Sequence, residues 1–488
     1  MWGVPEGDPD PLPSPEQSPR RRPRRRGRWL WRSTAALVLL VLLAAGVAYR
    51  LEPGLPARVP PPAGLSLPPV GAPAPVARPT RSLPVDPAAV RRAVASLLPP
   101  RILGPHVVAG VEALGSGSVV YRHGRGAVAP ASTMKLLTAV AALQALGPAH
   151  RFSTSVVATP QSQRIVLVGG GDPLLGRSPA PAGSFPPRAA LDTLAARTAE
   201  SLKALGRSKV RVGYDTTLFS GPALDPHWEP SYFADDVVSR ISPLWVAEGR
   251  RSAGGEDRSV NPAADAAAVF VQALERRHIA VVGRPGPAVA PPTSSGGGRI
   301  AVVRSAPLAT VVQHVLEVSD NEGAEVLARQ VAVAQGEPAS FAGAARAVRS
   351  VLARLGISTR GDLIYDGSGL SRHDRLRPAT LLAVIRTAAA DDRPGLRSAL
   401  AGLPVAGFTG SLTGRFVKDP AGRGTVRAKT GTLSGVDGLA GTVTTRDGAL
   451  LGFVAIADRV RRDETLEARA ALDRLATALA RCDCAATP

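Results

Sequence analysis

Pro130-Ala131-Ser132-Thr133-Met134-Lys135 opens an apolar run, Leu136 to Leu146, that Gly147-Pro148 stops. This pattern predicts a buried helix with a defined start and end. Ser132 falls in its first turn and Lys135 follows three residues on, so hydroxyl and amine face the same way. A serine hydroxyl is a poor nucleophile until a neighbouring base takes its proton. Lysine is such a base only when burial and a helix N-terminus lower its pKa. Of the 59 Lys and Arg residues only five are Lys: Lys135, Lys203, Lys209, Lys418 and Lys429. Arginine does not deprotonate in a protein, whereas lysine does. A chain that writes Arg nearly everywhere thus keeps, at position 135, an amine able to lose a proton. Ser-x-x-Lys arises by chance, however, and needs partners further along.

At 488 residues the chain is long enough for more than one structural unit, and 44% hydrophobic content is that of a globular protein. The net charge of +20 is spread along the chain. Residues 1–32 hold eight Arg against Glu6, Asp8, Asp10 and Glu16. Arg spread among abundant Ala, Gly and Pro fits a high-GC codon bias; attraction to wall polymers or lipid head groups is the functional alternative. Aromatics are 4% and no nucleic-acid module appears, so nucleic acid is not an expected partner. The seven His are scattered and no Cys/His cluster has metal-ligand spacing, so no metal or cofactor is expected. Cys482 and Cys484 are the only cysteines; a disulfide across one residue is expected to be strained, and their role is open.

Residues 1–28 read as a disordered, basic cytoplasmic tail ending in the Arg20–Arg26 block. Trp29 to Tyr49, about 21 residues with an apolar centre, reads as an N-in transmembrane anchor. Gly46-Val47-Ala48 offers a cleaved signal segment, and hence secretion, as the alternative. Residues 50–84 form a Pro-rich linker, and everything beyond is expected outside the cytoplasm. A hairpin is expected within 107–121, strands at 152–159, 164–168 and 210–214, and helices at 189–205 and 261–277. A second stretch starts near Arg299 with a strand at 300–303. Helices follow at 308–318, 322–334, 342–355 and 379–389, then strands through 424–432, 439–445 and 449–456 and a helix at 464–481.

Two further signals lie 187 and 297 residues beyond Ser132: Ser319-Asp320-Asn321 and Lys429-Thr430-Gly431. Each is weak alone. In this order, with Ser132-x-x-Lys135, they are the signature set of penicillin-binding proteins and serine β-lactamases. Further stretches narrow the resemblance: Gly169-Gly170-Gly171-Asp172-Pro173-Leu174-Leu175, Tyr214 to Phe219, Ala324-Glu325-x-Leu327 and Asp366-Gly367-Ser368-Gly369-Leu370-Ser371-Arg372. From about residue 85 onward the chain resembles the class C low-molecular-mass penicillin-binding proteins, the D-alanyl-D-alanine carboxypeptidase/endopeptidase family. It departs at Glu322-Gly323, where an apolar pair is expected.

The resemblance implies an α/β (α+β) catalytic domain of the penicillin-binding/serine β-lactamase type, a five-stranded antiparallel sheet flanked by helices. It would be built from residues 85–152 and 299–488, with a β-rich insert over 153–298. Implied roles are Ser132 as nucleophile, Lys135 as its base, Ser319 as proton relay and Asn321 as substrate orienter. Lys429, with Thr430, Gly431 and Thr432, would bind the substrate carboxylate. The N–H groups of Ser132 and Thr432 would form the oxyanion hole. The implied substrate is a peptidoglycan stem peptide, and β-lactam antibiotics are the implied inhibitors. Other readings of the same motifs are a β-lactamase, a transpeptidase, or a catalytically weak wall-binding protein of the same fold.

Overall fold

The structure, a computed structural model, describes residues 83–159, 162–251, 257–292, 298–417 and 419–486. The basic tail, the 29–49 segment and nearly all of the 50–84 linker lie outside the described residues. Among the described residues no helix is long and apolar enough to cross a membrane.

In chain order the strands are β1 (Val107–Ala113), β2 (Ser118–His123), β3 (Ser153–Ala158), β4 (Arg164–Val168), β5 (Lys209–Asp215), β6 (Ala280–Val281), β7 (Gly286–Pro287), β8 (Gly298–Arg304), β9 (Val426–Leu433), β10 (Val436–Thr444) and β11 (Leu450–Ala457). The main helices are α1 (Pro87–Val94), α2 (Lys135–Leu146), α3 (Leu191–Ala204), α4 (Pro262–Glu275), α5 (Leu308–Glu317), α6 (Asn321–Ala334), α7 (Phe341–Arg354), α8 (Pro378–Ala389) and α9 (Thr465–Arg481).

Five strands form one sheet in the order β2-β1-β11-β10-β9, antiparallel throughout. β11 reads Leu-Leu-Gly-Phe-Val-Ala-Ile-Ala, apolar on both faces, which is what a strand covered on both sides requires. Successive side chains point to opposite faces. Phe453, Ala455 and Ala457 accordingly join the core under α1 and α9. Val454 and Ile456 join the core under α2 and α5 to α8. The expected sheet between helical layers is therefore present, with ends within a few residues of those predicted.

The insert differs from expectation in two ways. It holds a second sheet, β6-β5-β4-β3-β8, with β7 also on β5. β3 runs antiparallel to β4 and β8, whereas β5 is parallel to β4 and β6. Two 14-residue helices, α3 and α4, supply Leu191, Leu194, Phe270 and Leu274 to its core. The insert is thus an α/β layer with its own core and not a β-rich unit. Its boundary also lies later than 298: β8 pairs with β3 and closes this sheet instead of opening the second catalytic segment. Between the two cores, Trp228, Val238, Ile241 and Trp245 of the insert pack on Val326, Phe341 and Leu370.

Cys482 and Cys484 are joined in a disulfide across one residue. The chain leaves α9 extended at Cys482 (φ −65°, ψ 134°), and the two Cα atoms stand 5.1 Å apart, inside the ordinary range for a bridged pair.

Trp245 is 1% exposed and its indole N–H donates to the carbonyls of Asp172 and Pro173, at 3.2 and 3.1 Å. Trp245→Ala is expected to cost about 3–5 kcal/mol, read as a lower urea midpoint.

Candidate active site

Ser132 stands in a 3-10 turn, Ala131–Met134, that leads directly into α2. The turn is held by the Thr133 hydroxyl donating to the Pro130 carbonyl at 2.7 Å. Ala131 sits at φ 44°, a left-handed conformation costing about 1–3 kcal/mol for a non-glycine residue. The surroundings enforce it. A Cβ on Gly431 would lie 2.7 Å from the Pro130 carbonyl oxygen, and one on Gly369 (φ +82°) 1.9 Å from that of Ala131. The glycines of Lys429-Thr430-Gly431 and of Asp366-Gly367-Ser368-Gly369 are therefore the places where a strand and a loop close on the serine turn.

Lys135 is wholly buried. Its Nζ donates to Ser132 Oγ at 2.8 Å, Asn321 Oδ1 at 2.8 Å and the Ser368 carbonyl at 2.9 Å. Burial pushes its pKa down to about 8, against the opposing pull of Asp366, Asp320, Glu325 and Glu322. The amine is thus tuned towards a base at neutral to mildly alkaline pH and touches the hydroxyl it would deprotonate.

The second motif occupies the break between α5 and α6. Ser319 takes φ 61°, and the Asp320 carboxylate caps α6 by accepting from Gly323 N at 2.8 Å. Asn321 Nδ2 donates to the Val237 carbonyl of the insert at 3.1 Å. Lys429 Nζ donates to Ser319 Oγ at 2.8 Å and to the Thr430 carbonyl at 3.0 Å. Burial, and next the charge of Lys135, hold the Lys429 pKa well below the ordinary lysine range. An arriving carboxylate would restore the ammonium form. The five predicted polar residues thus fall in two hydrogen-bonded groups, Ser132–Lys135–Asn321 and Ser319–Lys429.

Thr430 and Thr432 share one face of β9 by the two-residue strand period. The Thr430 hydroxyl is hydrogen-bonded to Ser411 Oγ at 2.8 Å. β9 is the edge strand, and residues 404–406 bond to it at Val426 and Ala428. Those bonds fix which backbone groups point outward, and by alternation the N–H of Thr432 points the same way. At the end of this strand, where it turns into β10, a cleft of about 800 Å³ opens, lined by Tyr232, Asp235, Val237, Arg372 and Leu433 among others.

Several functional supports were not assigned a role from sequence. Glu325, buried in α6, accepts from Gly367 N (3.1 and 3.0 Å) and Ser368 N (2.8 Å), fixing the carbonyl that receives Lys135. Burial, reinforced by Asp366, pushes its pKa up to about 8. Asp366 accepts from Gly369 N, Ser371 N and the Trp228 indole, at 2.6, 2.7 and 2.7 Å. The departure at Glu322-Gly323 also has a physical reason. The buried Glu322 carboxylate accepts from Ser239 N at 3.0 Å and pairs with Arg258 of the insert. A buried charge is tolerated when paired in this way. At Gly323 a Cβ would meet Asp320 Oδ2 and Val315, so a side chain there would displace the α6 cap.

Residues 91–257 and 251–479 match the model of the D-Ala-D-Ala carboxypeptidase 3 (S13) family. The chain belongs to that family. A carboxypeptidase DacB of Mycolicibacterium smegmatis is 35% identical over 94% of this chain and 99% of its own length. A carboxypeptidase of Mycobacterium tuberculosis is 39% identical over 73% of this chain and 76% of its own. The crystal structure of penicillin binding protein 4 (dacB) from Haemophilus influenzae matches the fold with a TM-score of 0.63 at 22% identity. It covers 80% of this chain and 98% of that one.

The rate of serine acylation is expected to rise with pH and level off above about 8, because protonated Lys135 cannot accept the Ser132 proton. Glu325→Ala removes the acceptor of two buried backbone N–H groups and is expected to slow acylation at least about tenfold, with about 1–3 kcal/mol lost in stability. Stopped-flow acylation by a chromogenic β-lactam and a urea melt measure the two effects.

Proposed function

We propose that this serine-type D-alanyl-D-alanine carboxypeptidase cleaves peptidoglycan stem peptides through an acyl-enzyme on Ser132. The observation that carries the residue roles is the contact of a wholly buried Lys135 amine with Ser132 Oγ at 2.8 Å. Lys135 accepts the Ser132 proton as the hydroxyl attacks the carbonyl between two D-alanines. The N–H groups of Ser132 and Thr432 take the developing oxyanion, at about 3 kcal/mol per donor. Ser319, hydrogen-bonded to Lys429, passes a proton to the leaving amine. Asn321 orients the substrate amide. Lys429 with Thr430 and Thr432 receives the terminal carboxylate, and Gly431 keeps β9 close to the serine turn. The peptide backbone lies along the open edge of β9, and its side chain enters the adjoining cleft. Water then releases the acyl group. A β-lactam presents an amide of the same kind and acylates the same hydroxyl.

The 29–49 segment, read from sequence as a single-pass anchor or a signal segment, would place this chemistry outside the cell membrane, with the 50–84 linker reaching towards the wall.

Incubation with labelled penicillin followed by mass spectrometry is expected to find one adduct, on Ser132. A protein without that adduct is not an acyl-transfer enzyme of this kind, and an adduct lost within seconds would assign the chain to β-lactam hydrolysis. Lys135→Arg keeps the charge but not the base, and is expected to abolish acylation while leaving the melting curve cooperative.

A further inference from the structure

Behind the second motif, three side chains from three separate segments converge. Glu248 lies in the insert turn Ala247–Gly249, His314 on α5, and Asp320 at the cap of α6. Their candidate ligand atoms lie within 4.8 Å of one another. Two carboxylates so close together repel unless a proton or a cation is held between them, and burial together with the Glu248 charge raises the Asp320 pKa well above the ordinary carboxylate range. Asp320 is 9% exposed; one of its oxygens is used by Gly323 N, but Oδ2 is buried and has no hydrogen-bond partner. An orphaned buried carboxylate oxygen is uncommon in a folded protein and needs a cause. No neighbouring cation hydrogen-bonds to it: Lys135 acts on Asp320 only through space, as Arg188 does on His314. Arg250 holds Glu248 through Oε2 at 2.5 Å, and Arg258 is engaged with Asp236 and Glu322.

We propose that Glu248, His314 and Asp320 bind a divalent transition-metal ion, Zn²⁺ in the first instance. The donor set decides the class. Calcium and magnesium prefer all-oxygen shells, whereas one imidazole with two carboxylates suits zinc, with water in the fourth position. The site uses none of the acyl-transfer residues themselves, and Asp320 stands between Ser319 and Asn321. Its ion would clip the turn at Glu248, which belongs to the insert, to the α5–α6 junction, which belongs to the catalytic part. Because Asp320 caps the helix whose first residue, Asn321, touches Lys135, the clip also holds the second motif in register. None of this requires the ion for proton transfer, so the metal-free enzyme should still acylate.

The test uses the full chain, stripped with a chelator and titrated with ZnCl₂ by calorimetry, with bound metal counted by mass spectrometry. One equivalent is expected, with a higher melting temperature in its presence. His314→Gln and Glu248→Gln should each weaken binding at least tenfold, while both variants keep benzylpenicillin acylation of Ser132 in the absence of metal. Cobalt(II) added to the unmodified protein should give the visible bands of a low-coordinate nitrogen–oxygen site. No bound equivalent, or an equivalent unaffected by both substitutions, would overturn the proposal; the latter places the ion elsewhere on the chain. A cobalt spectrum identical to that of the hexa-aqua ion would overturn it too.

Discussion

Everything near the site follows from one constraint: a lysine amine is held out of water without a salt bridge of its own. Lys135 has three oxygen acceptors, and they come from three places: its own turn, the start of α6, and the 366–371 loop. A buried amine is costly unless its hydrogen bonds are satisfied. Each acceptor must therefore be fixed by structure further out. Gly369 and Gly431 allow the loop and β9 to approach the serine turn. Glu325 and Asp366 hold the backbone of the 366–371 loop. Asp320 caps the helix that delivers Asn321. The acidic residues also surround the amine with negative charge, which opposes the effect of burial. The result is a pKa displaced to about 8 and no further, so the same group can take a proton and give it back.

The insert is part of this arrangement and not an appendage. It supplies the Val237 carbonyl to Asn321, the Trp228 indole to Asp366 and the Arg258 guanidinium to Glu322. The last of these explains how the chain can carry an acid at a position where an apolar residue was expected. The acid is buried with a cation that itself belongs to a different structural layer. Glu322 and Arg258 are hence one substitution in physical terms, since removing either partner would leave the other charged and dry.

Much of this was legible in the sequence, for reasons that differ by element. Ser132-x-x-Lys135 reads correctly because its spacing is local and a helical turn fixes where the two side chains point. β11 and its partners are legible because they are continuous apolar runs bounded by turn residues. The insert was misread because its short strands and two Ala-rich helices give no sign of which layers they form, and because β8 has the composition of a strand from either sheet. Glu325 and Asp366 stood inside recognised stretches without a role, since what they do is hold backbone N–H groups about 40 residues away in sequence or a few residues on. The grouping of Glu248, His314 and Asp320 has no sequence spacing at all; it exists only once α5, α6 and the insert turn are packed.

The strand order has a consequence for how the molecule is made. β1 pairs along its whole length with β11, more than 300 residues later, while β2 occupies its other side. The catalytic sheet cannot close until β11 has been synthesised, and contacts so distant along the chain slow folding. The inserted α/β layer, by contrast, is contiguous from β3 to β8 and has its own core, so it can form first. Ser132 and Lys135 are made early but acquire Asn321, Ser368 and Lys429 only late. Until the last strands close, Ser132 and Lys135 therefore stand without the partners that surround them in the folded chain, and the order of synthesis sets when that surround can form.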